Sequence, residues 1–337
     1  MRSPGKENDM APNLSTTYLG LPLANPLIVG SCSLTGNLDW IRRFSDGGAG
    51  AIVLKSLFEE QIDTDVQVIE NHLWMQGHAE SHQYVRSMGM ELGANSYIHL
   101  LEEAKKIASC PIIASINCVT PKWWSAYARK LADAGADALE LNISMLPTDP
   151  DRTSQDVEER IMDIVESVNR DVSIPLAVKV GPFFTAFSRI ANELVLRGAS
   201  GLVLFNRFYH MDLDPDSLKI RARNPLSSPE ESHLPLRWIA LLYDHIEADL
   251  CASTGIHDAM AAIKMILAGA SAVQMCSVLY HREEGVLREI QEGMETWMKE
   301  KGYSSLEDFQ GLACQSRSRH PEAYERLQYI RALTGIE

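Results

Sequence analysis

The chain has 337 residues, 45% apolar and 23% charged, a composition ordinary for a globular protein and a length that suits one large α/β domain. A net charge of −14 argues against nucleic acid or an anionic membrane as partner, while a few local lysines could still hold a small anion. No apolar run reaches the ~20 residues of a bilayer span, and six scattered cysteines without a Cys-x-x-Cys pair point away from a zinc or iron–sulfur site and towards free thiols in a reducing cytoplasm.

In chain order, residues 1–13 are polar with Pro and Gly and read as a disordered segment. "NPLIVGS" at 25–31 is a short apolar strand that starts after Pro and ends in Ser31. "GAGAIVLKS" at 48–56 follows a helix ending in Gly-Ala, and ends in Lys55 and Ser56. Residues 57–94 form a long insertion whose Trp74, Met75, His78, His82, Tyr84 and Met88 could cover a barrel mouth. "CPIIASIN" at 110–117 supplies Ser115 and Asn117. The spacing predicts a helix over 120–134, with a Thr cap and Pro at the first helical position. "GADALELN" at 135–142 ends in Asn142, with Ser144 just beyond. A helix over 153–169 aligns Val157, Ile161, Ile164, Val165 and Val168. "IPLAVKV" at 174–180 carries Lys179, and "GASGLVLFN" at 198–206 ends in Asn206, followed by Arg207 and a second long connection over 207–233. "ADLCAST" at 248–254 runs through Gly255 into a helix over 256–268. "GASAVQMCS" at 269–277 ends in Cys276 and Ser277, and a helix follows over 284–300. After 312, Pro321, Tyr324, Leu327, Ile330 and Leu333 outline an amphipathic helix suited to packing on the barrel or on a partner subunit.

Eight such strands alternating with helices predict a single-domain (β/α)8 TIM barrel over 14–311, with long β2 and β6 loops and a C-terminal helical extension over 312–337. An open doubly wound sheet is the structural alternative. In a barrel the polar strand ends converge on the C-terminal rim, where active sites of this fold lie. Lys55 and Lys179 each close an apolar strand, where a buried ammonium is costly unless paired. The acid nearest to them in the pattern is Glu140, so two inward cations suggest an anionic ligand. Ser253, Thr254 and Gly255, followed at once by a helix and joined by Ser277, form a phosphate grip of the kind barrels build after strands seven and eight. A phosphorylated cofactor suits these features, with flavin mononucleotide (FMN) the natural candidate. A sugar-phosphate lyase or isomerase shares the grip, but would need an acid or base that the strand ends do not offer.

From Leu14 to Gly311 the chain resembles the dihydroorotate dehydrogenases, most closely their soluble class-1 branch. The resemblance is carried by "LSTTYLGLPLANPLIVGS", "GAGAIVLKS", "SMG" at 87–89, "LELNIS", "PLAVKV", "FN" at 205–206, "STGIHDAMAAIKMILAGASAVQMCS" and "KGYSSLEDFQG" at 301–311. It implies an FMN-binding barrel in which a substrate reduces the flavin and a second electron acceptor reoxidises it, and it implies a homodimer. It places Lys55 and Lys179 against the flavin, with Ser31, Ser56, Asn117 and Asn142 lining it. The phosphate would lie with Ser253, Thr254, Gly255, Cys276 and Ser277. Asn206 would reach from the flavin to the substrate, and Ser87, Met88 and Gly89 would form part of the substrate floor.

The departures fall on the substrate side. Where the family motif continues Asn-x-Ser-Cys-Pro-Asn, with Cys or Ser as the base, this chain reads Asn142-Ile143-Ser144-Met145-Leu146-Pro147. Met145 stands at the base, and a thioether cannot accept a proton at a useful pKa. The substrate-binding Asn has become Pro147, and the Asn before Ser-Met-Gly is Arg86. The candidate catalytic positions are therefore Met145, Ser144 and Lys55, although Ser144 points to the other face of an extended segment. Arg86 and Arg207 could instead bind a substrate carboxylate. Asp149, His78, His82 and His210 lie on segments that could reach the mouth, and each reads first as a surface residue. The expected activity is FMN-dependent oxidation or reduction of a small pyrimidine-like or carboxylate-bearing substrate. A flavin-binding protein without turnover, and a non-redox barrel with a phosphate-bearing ligand, are the alternatives.

Overall fold

The structure is a computed structural model that describes residues 11–59, 82–118, 121–207, 210–223 and 226–325, with isolated positions beyond; of 82–94, 121–122, 210, 221–223 and 323 it gives the backbone path alone. Thr16–Tyr18 (β1) and Leu21–Leu23 (β2) form an antiparallel hairpin ahead of the barrel. The barrel strands are Leu27–Val29 (β3), Ala51–Val53 (β4), Ile112–Asn117 (β6), Ala138–Asn142 (β7), Leu176–Val180 (β8), Gly201–Leu204 (β9), Asp249–Ser253 (β12) and Ala272–Met275 (β13), with Leu57–Phe58 (β5) resuming the course of β4. Every neighbouring pair is parallel. The order β4-β3-β13-β12-β9-β8-β7-β6 closes through a β4–β6 pairing, so the sheet is a barrel and not the open alternative.

Side-chain parity explains why these strands look apolar throughout yet carry polar residues. Helices cover the outside and the strands pack on one another's faces inside, so both faces are buried. Leu139 and Leu141 of β7, or Val178 and Val180 of β8, pack outward in the large cluster with the helices. Ile28, Ala51, Val53, Ile113, Ala138, Ala177, Val203, Cys251 and Ala272 form a separate inner cluster of mostly small residues. The β1–β2 hairpin fills the lower end of that cluster with Tyr18, Leu19 and Leu23. It is fastened by Leu19 N–H to Asp249 Oδ2 at 2.7 Å. Two residues further along each strand, the same parity turns Ser115, Glu140, Lys179, Ser253 and Gln274 inward, all buried. The barrel interior thus changes from apolar to polar towards its C-terminal end.

The described helices are Leu38–Asp46 (α1), His82–Ile107 (α2), Pro121–Asp133 (α3), Ser154–Asp171 (α4), Phe187–Leu196 (α5), His233–Leu242 (α6), Ala259–Ala268 (α7), Ser277–Arg282 (α8) and Gly285–Lys301 (α9), of which α3, α4, α7 and α9 answer to the predicted spans. α4 starts with a capping box in which Thr153 and Asp156 satisfy each other's backbone N–H groups. Among the described residues no helix is long and apolar enough to cross a membrane.

Several expectations are corrected. Ordered chain begins before residue 14: Asn13 bridges to Ser305 and its N–H donates to Ser304 O at 2.8 Å. The insertion over 57–94 is not one loop, since its last part belongs to α2 from His82; Trp74, Met75 and His78 lie outside the described residues, as does Thr120 before α3. The connection over 207–233 contains an antiparallel hairpin, His210–Asp214 (β10) with Lys219–Arg223 (β11). In the C-terminal segment, Pro321 opens only a 3-10 turn, Pro321–Tyr324; the positions that would decide the rest of that helix are largely outside the described residues. The segment also continues the barrel's packing past 311, with Ala313 N–H to Leu267 O, Gln315 N–H to Ala240 O and Cys314 buried.

Candidate functional site

Three polar groups meet at the C-terminal end of the barrel. The first is a string of hydroxyls. Ser31 Oγ lies 3.1 Å from Ser56 Oγ, which lies 2.8 Å from Ser115 Oγ, and Ser56 N–H donates to Ser31 Oγ at 2.9 Å. Tyr97, from α2, brackets Ser115 by donating to its carbonyl at 3.1 Å and accepting its N–H at 3.0 Å. Asn142 Nδ2 donates to Ser56 Oγ at 3.3 Å, whereas Asn142 Oδ1 is buried without a hydrogen-bond partner. A buried amide carbonyl without a donor costs about 1–3 kcal/mol, so a ligand N–H arriving there meets a prepared acceptor.

The second group centres on Lys179. Its ammonium donates to Gln274 Oε1 at 2.9 Å and lies 3.7 Å from Glu140 Oε1, while Gln274 Nε2 donates to Glu140 Oε2. Burial pushes the Lys179 pKa down. The Glu140 carboxylate, aided by the thiols of Cys276, Cys251 and Cys32, more than offsets this and holds it above the usual lysine value. The expectation that both lysines await an anion is therefore corrected for Lys179, whose charge is met from within the barrel. Glu140 and Gln274 do this, and inward parity within "ALELN" and "AVQM" was the signal for both. Lys55 sits in the short break between β4 and β5, its Cδ 3.3 Å from where a Cβ on Gly36 would stand. Among the described residues no carboxylate pairs with it.

The third group lies past β12 and β13. Gly255 N–H points at Ser227 Oγ (3.4 Å); Ser227 donates its hydroxyl and its N–H to Ser277 Oγ at 2.9 and 2.8 Å and lies 3.3 Å from His257 Nε2. Burial and the nearby His281 lower the His257 pKa. Gly255 has φ +78°, and a Cβ there would stand 2.3 Å from Ser232 N, so only glycine fits this turn. The expected direct run into a helix is corrected. α7 starts only at Ala259, and its Asp258 cap already accepts Ala261 N–H at 2.8 Å. An anion here would be held by the Gly255 N–H and the hydroxyls, not by the helix end. Thr254 spends its hydroxyl on Phe205 O at 3.3 Å. Ser227 was not anticipated, because it comes from a segment without periodicity, and His257 was passed over inside the predicted helix over 256–268, which starts only at Ala259.

The remaining predicted residues divide sharply. Asn117 ends β6 half-buried, and Cys276 follows β13 beside Ser31. Asn206 Nδ2 donates to Ile143 O and Lys179 O at 3.2 and 3.3 Å, tying three strand ends together. Arg207 is already engaged: Nε donates to Glu231 Oε2 at 2.7 Å and Nη2 to Oε1 at 3.2 Å. It is thus corrected from a substrate anchor to a fastening for the 207–233 excursion. We expect Arg207→Ala to lower stability in urea unfolding by about 1–3 kcal/mol, by removing the cation that faces the half-buried Glu231 carboxylate; a raised KM with unchanged stability would return Arg207 to the substrate. Met145 is half-buried against the main core, whereas Ser144 is exposed, as is Asp149. Of Arg86, Ser87, Met88 and Gly89, and of His82 and His210, the structure describes the backbone alone.

The donor set suits a flavin mononucleotide. The ring system's N–H matches Asn142 Oδ1, its carbonyls match the ammonium and hydroxyl donors, and its phosphate matches Gly255, Ser277 and their neighbours.

Comparison with known proteins agrees with this architecture. A family model described as Dihydroorotate dehydrogenase matches residues 13–298. The catalytic subunit of dihydroorotate dehydrogenase B (NAD(+)) from Thermoplasma volcanium is 27% identical, covering 89% of this chain and 98% of its own. That from Methanosarcina mazei is 29% identical over 89% and 95%. A putative dihydroorotate dehydrogenase A (fumarate) from Aeropyrum pernix is 29% identical over 90% and 98%. The crystal structure of DHODH from Eimeria tenella in complex with ferulenol shares the fold, with TM-score 0.64 and 18% identity over 93% of this chain and 91% of that one. A closed parallel barrel, a polar C-terminal rim and a match across most of the chain lead to one conclusion: this protein belongs to the dihydroorotate dehydrogenase family.

Proposed function

We propose that the protein is an FMN-dependent oxidoreductase acting on a CH–CH type bond of a small substrate, pyrimidine-like or carboxylate-bearing. The observation that carries this reading is the buried, unpartnered Asn142 Oδ1, on the residue that pairs with Lys179 across β7 and β8, at the mouth of a dihydroorotate dehydrogenase-family barrel. When bound, FMN would accept a hydride from substrate and pass the electrons to a second acceptor. Glu140 and Gln274 fix the position of the Lys179 charge, so it needs no reorganisation when negative charge develops nearby. Ser31, Ser56 and Asn142 would orient the ring system, and Gly255 and Ser277 would hold the phosphate. Substrate-side chemistry departs from the family, because Met145 supplies no proton acceptor and Pro147 no amide.

The half-buried Met145 favours a second reading, a flavin-binding protein without the family's turnover. The relatives named as NAD(+)-type catalytic subunits support an electron acceptor distinct from substrate, and we keep the homodimer as part of the proposal. Six free cysteines support a reducing, cytoplasmic setting. The test is anaerobic mixing of the purified yellow protein with dihydroorotate and with related unsaturated or saturated carboxylates. Bleaching by any of them supports the oxidoreductase. A flavin-loaded protein that none bleaches selects the second reading, and a preparation that neither contains nor takes up FMN selects a non-redox barrel.

A further inference from the structure

Ser227 and His257 stand behind Ser277, and the hydrogens of the three side chains can be placed by counting. Ser227 comes from the 207–233 excursion, past the β10–β11 hairpin. His257 lies between Gly255 and the Asp258 cap of α7, and Ser277 opens α8 after β13. All three are half-buried. Ser277 Oγ accepts twice from one residue, from the Ser227 N–H at 2.8 Å and from the Ser227 hydroxyl at 2.9 Å. A hydroxyl oxygen has two lone pairs, so both are filled, and the Ser277 hydrogen points elsewhere. Among the described residues it meets no acceptor.

Ser227 has given its single hydrogen to Ser277. Towards His257 Nε2, 3.3 Å away, its oxygen therefore accepts, as it does from the Gly255 N–H at 3.4 Å. The imidazole thus carries a hydrogen on Nε2. Every donor then points one way: His257 to Ser227, Ser227 to Ser277, and Ser277 outward. Hydrogen bonds aligned in this way polarise one another. A relay that ends on an outward hydroxyl suits an acceptor that is negatively charged.

On the reading above that Gly255 and Ser277 hold the phosphate of FMN, we propose that His257 is a positioning residue: it orients the Ser227–Ser277 relay towards that phosphate and tightens the hold when it gains a second proton. Neutral His257 already donates from Nε2, so the added proton goes to Nδ1 and leaves the relay intact. Burial and His281 of α8 oppose that proton, while the Ser227 backbone, Asp258 on the same turn and Glu231 from Pro229–Ser232 favour it. Glu230 of that segment interacts with both His257 and His233. The balance keeps the His257 pKa below the usual histidine value. A phosphate dianion beyond Ser277 favours the imidazolium, and by reciprocity the imidazolium favours the phosphate. Across two hydroxyls the gain should be about 3–10-fold in affinity.

The test measures binding and does not depend on turnover. The full chain, freed of flavin, is titrated with FMN between about pH 8 and 5.5, and quenching of flavin fluorescence gives the affinity. His257→Gln is titrated beside it; its amide keeps an N–H donor but does not take up a proton. The ratio of the two affinities cancels the titration of the phosphate itself. It is expected to be near one at the alkaline end and to grow about 3–10-fold in favour of the unaltered chain at the acid end. With riboflavin, which lacks the phosphate, it should stay near one throughout. Ser227→Ala, which leaves the Ser277 hydroxyl unoriented, should weaken FMN by about tenfold at every pH and leave riboflavin unchanged. FMN binding with a ratio that ignores pH, a ratio that moves equally with riboflavin, or a Ser227→Ala chain that holds FMN as tightly as the original would each overturn the proposal while the FMN reading stands. A chain that takes up no FMN at all would overturn both.

Discussion

Replacing Glu140 by alanine is expected to lower the unfolding free energy by about 3–5 kcal/mol, the usual result of removing one partner from a buried ion pair. Glu140 is fully buried and Lys179 is 7% exposed, so water cannot take the carboxylate's place. The loss would be a large fraction of the ~5–15 kcal/mol that stabilises a typical domain. Glu140→Gln should cost less, because an amide oxygen can still accept from Gln274 Nε2. A double variant, Glu140→Leu with Lys179→Met, should recover most of the loss, since well-packed apolar residues often replace a buried pair without penalty. The pH dependence follows from the direction of the Lys179 shift. Its folded pKa is raised above an unfolded value of about 10.4, so the stabilisation is complete below that value and fades as pH rises through the folded pKa. The Lys179 contribution to the intact chain should therefore be flat between about pH 6 and 9, whereas in Glu140→Ala burial alone acts on Lys179 and lowers its pKa, so the variant's deficit should shrink as pH rises towards the unfolded value. Urea unfolding across that range is the check, and an alanine variant as stable as the original chain would show that Lys179 needs no counter-charge.

Met145→Cys is expected to raise the rate at which dihydroorotate bleaches bound flavin by about 10²–10⁴-fold, the usual contribution of a positioned general base. Met145 follows β7 at the position where the resemblance puts the base, half-buried against the core. Cysteine is smaller than methionine, so the change introduces no clash and replaces a group that cannot take a proton with one that can. Met145→Ser should give a smaller gain and Met145→Ala none, which separates proton transfer from the opening of space. Single-turnover mixing without oxygen measures the step directly. Fast bleaching by the unaltered protein, unimproved in Met145→Cys, would mean that the proton acceptor lies on another element.

The barrel was legible because its strands obey a period of two even where they look uniformly apolar. "ALELN" and "LAVKV" each hide inward polar residues among outward aliphatics, and strand-end chemistry located the rim. The Lys179 pairing was less legible: Glu140 and Lys179 are 39 positions apart in the chain, and only the parallel register of β7 with β8 makes them neighbours. On the side expected to hold phosphate, the helix start was misjudged, because Asp258 caps α7 after a turn that propensity does not distinguish from helix. Ser227 and the Arg207–Glu231 pair were hidden for another reason. They come from connections whose course depends on tertiary contacts rather than local pattern. The β10–β11 hairpin was missed because its strands alternate charge with apolar residues over only five positions each.

That hairpin has an unusual surface. Its register sets Asp212 opposite Arg221 and Asp214 opposite Lys219, while Met211, Leu213, Leu218 and Ile220 are exposed. A two-stranded ribbon is marginal by itself in water, yet Arg207 and Glu231 clamp the chain where the excursion leaves and where it returns. The excursion therefore behaves as an attachment riveted at its root. Its tip can be lengthened, trimmed or recoded across relatives at small entropic cost, while Ser227 and the barrel below keep their places.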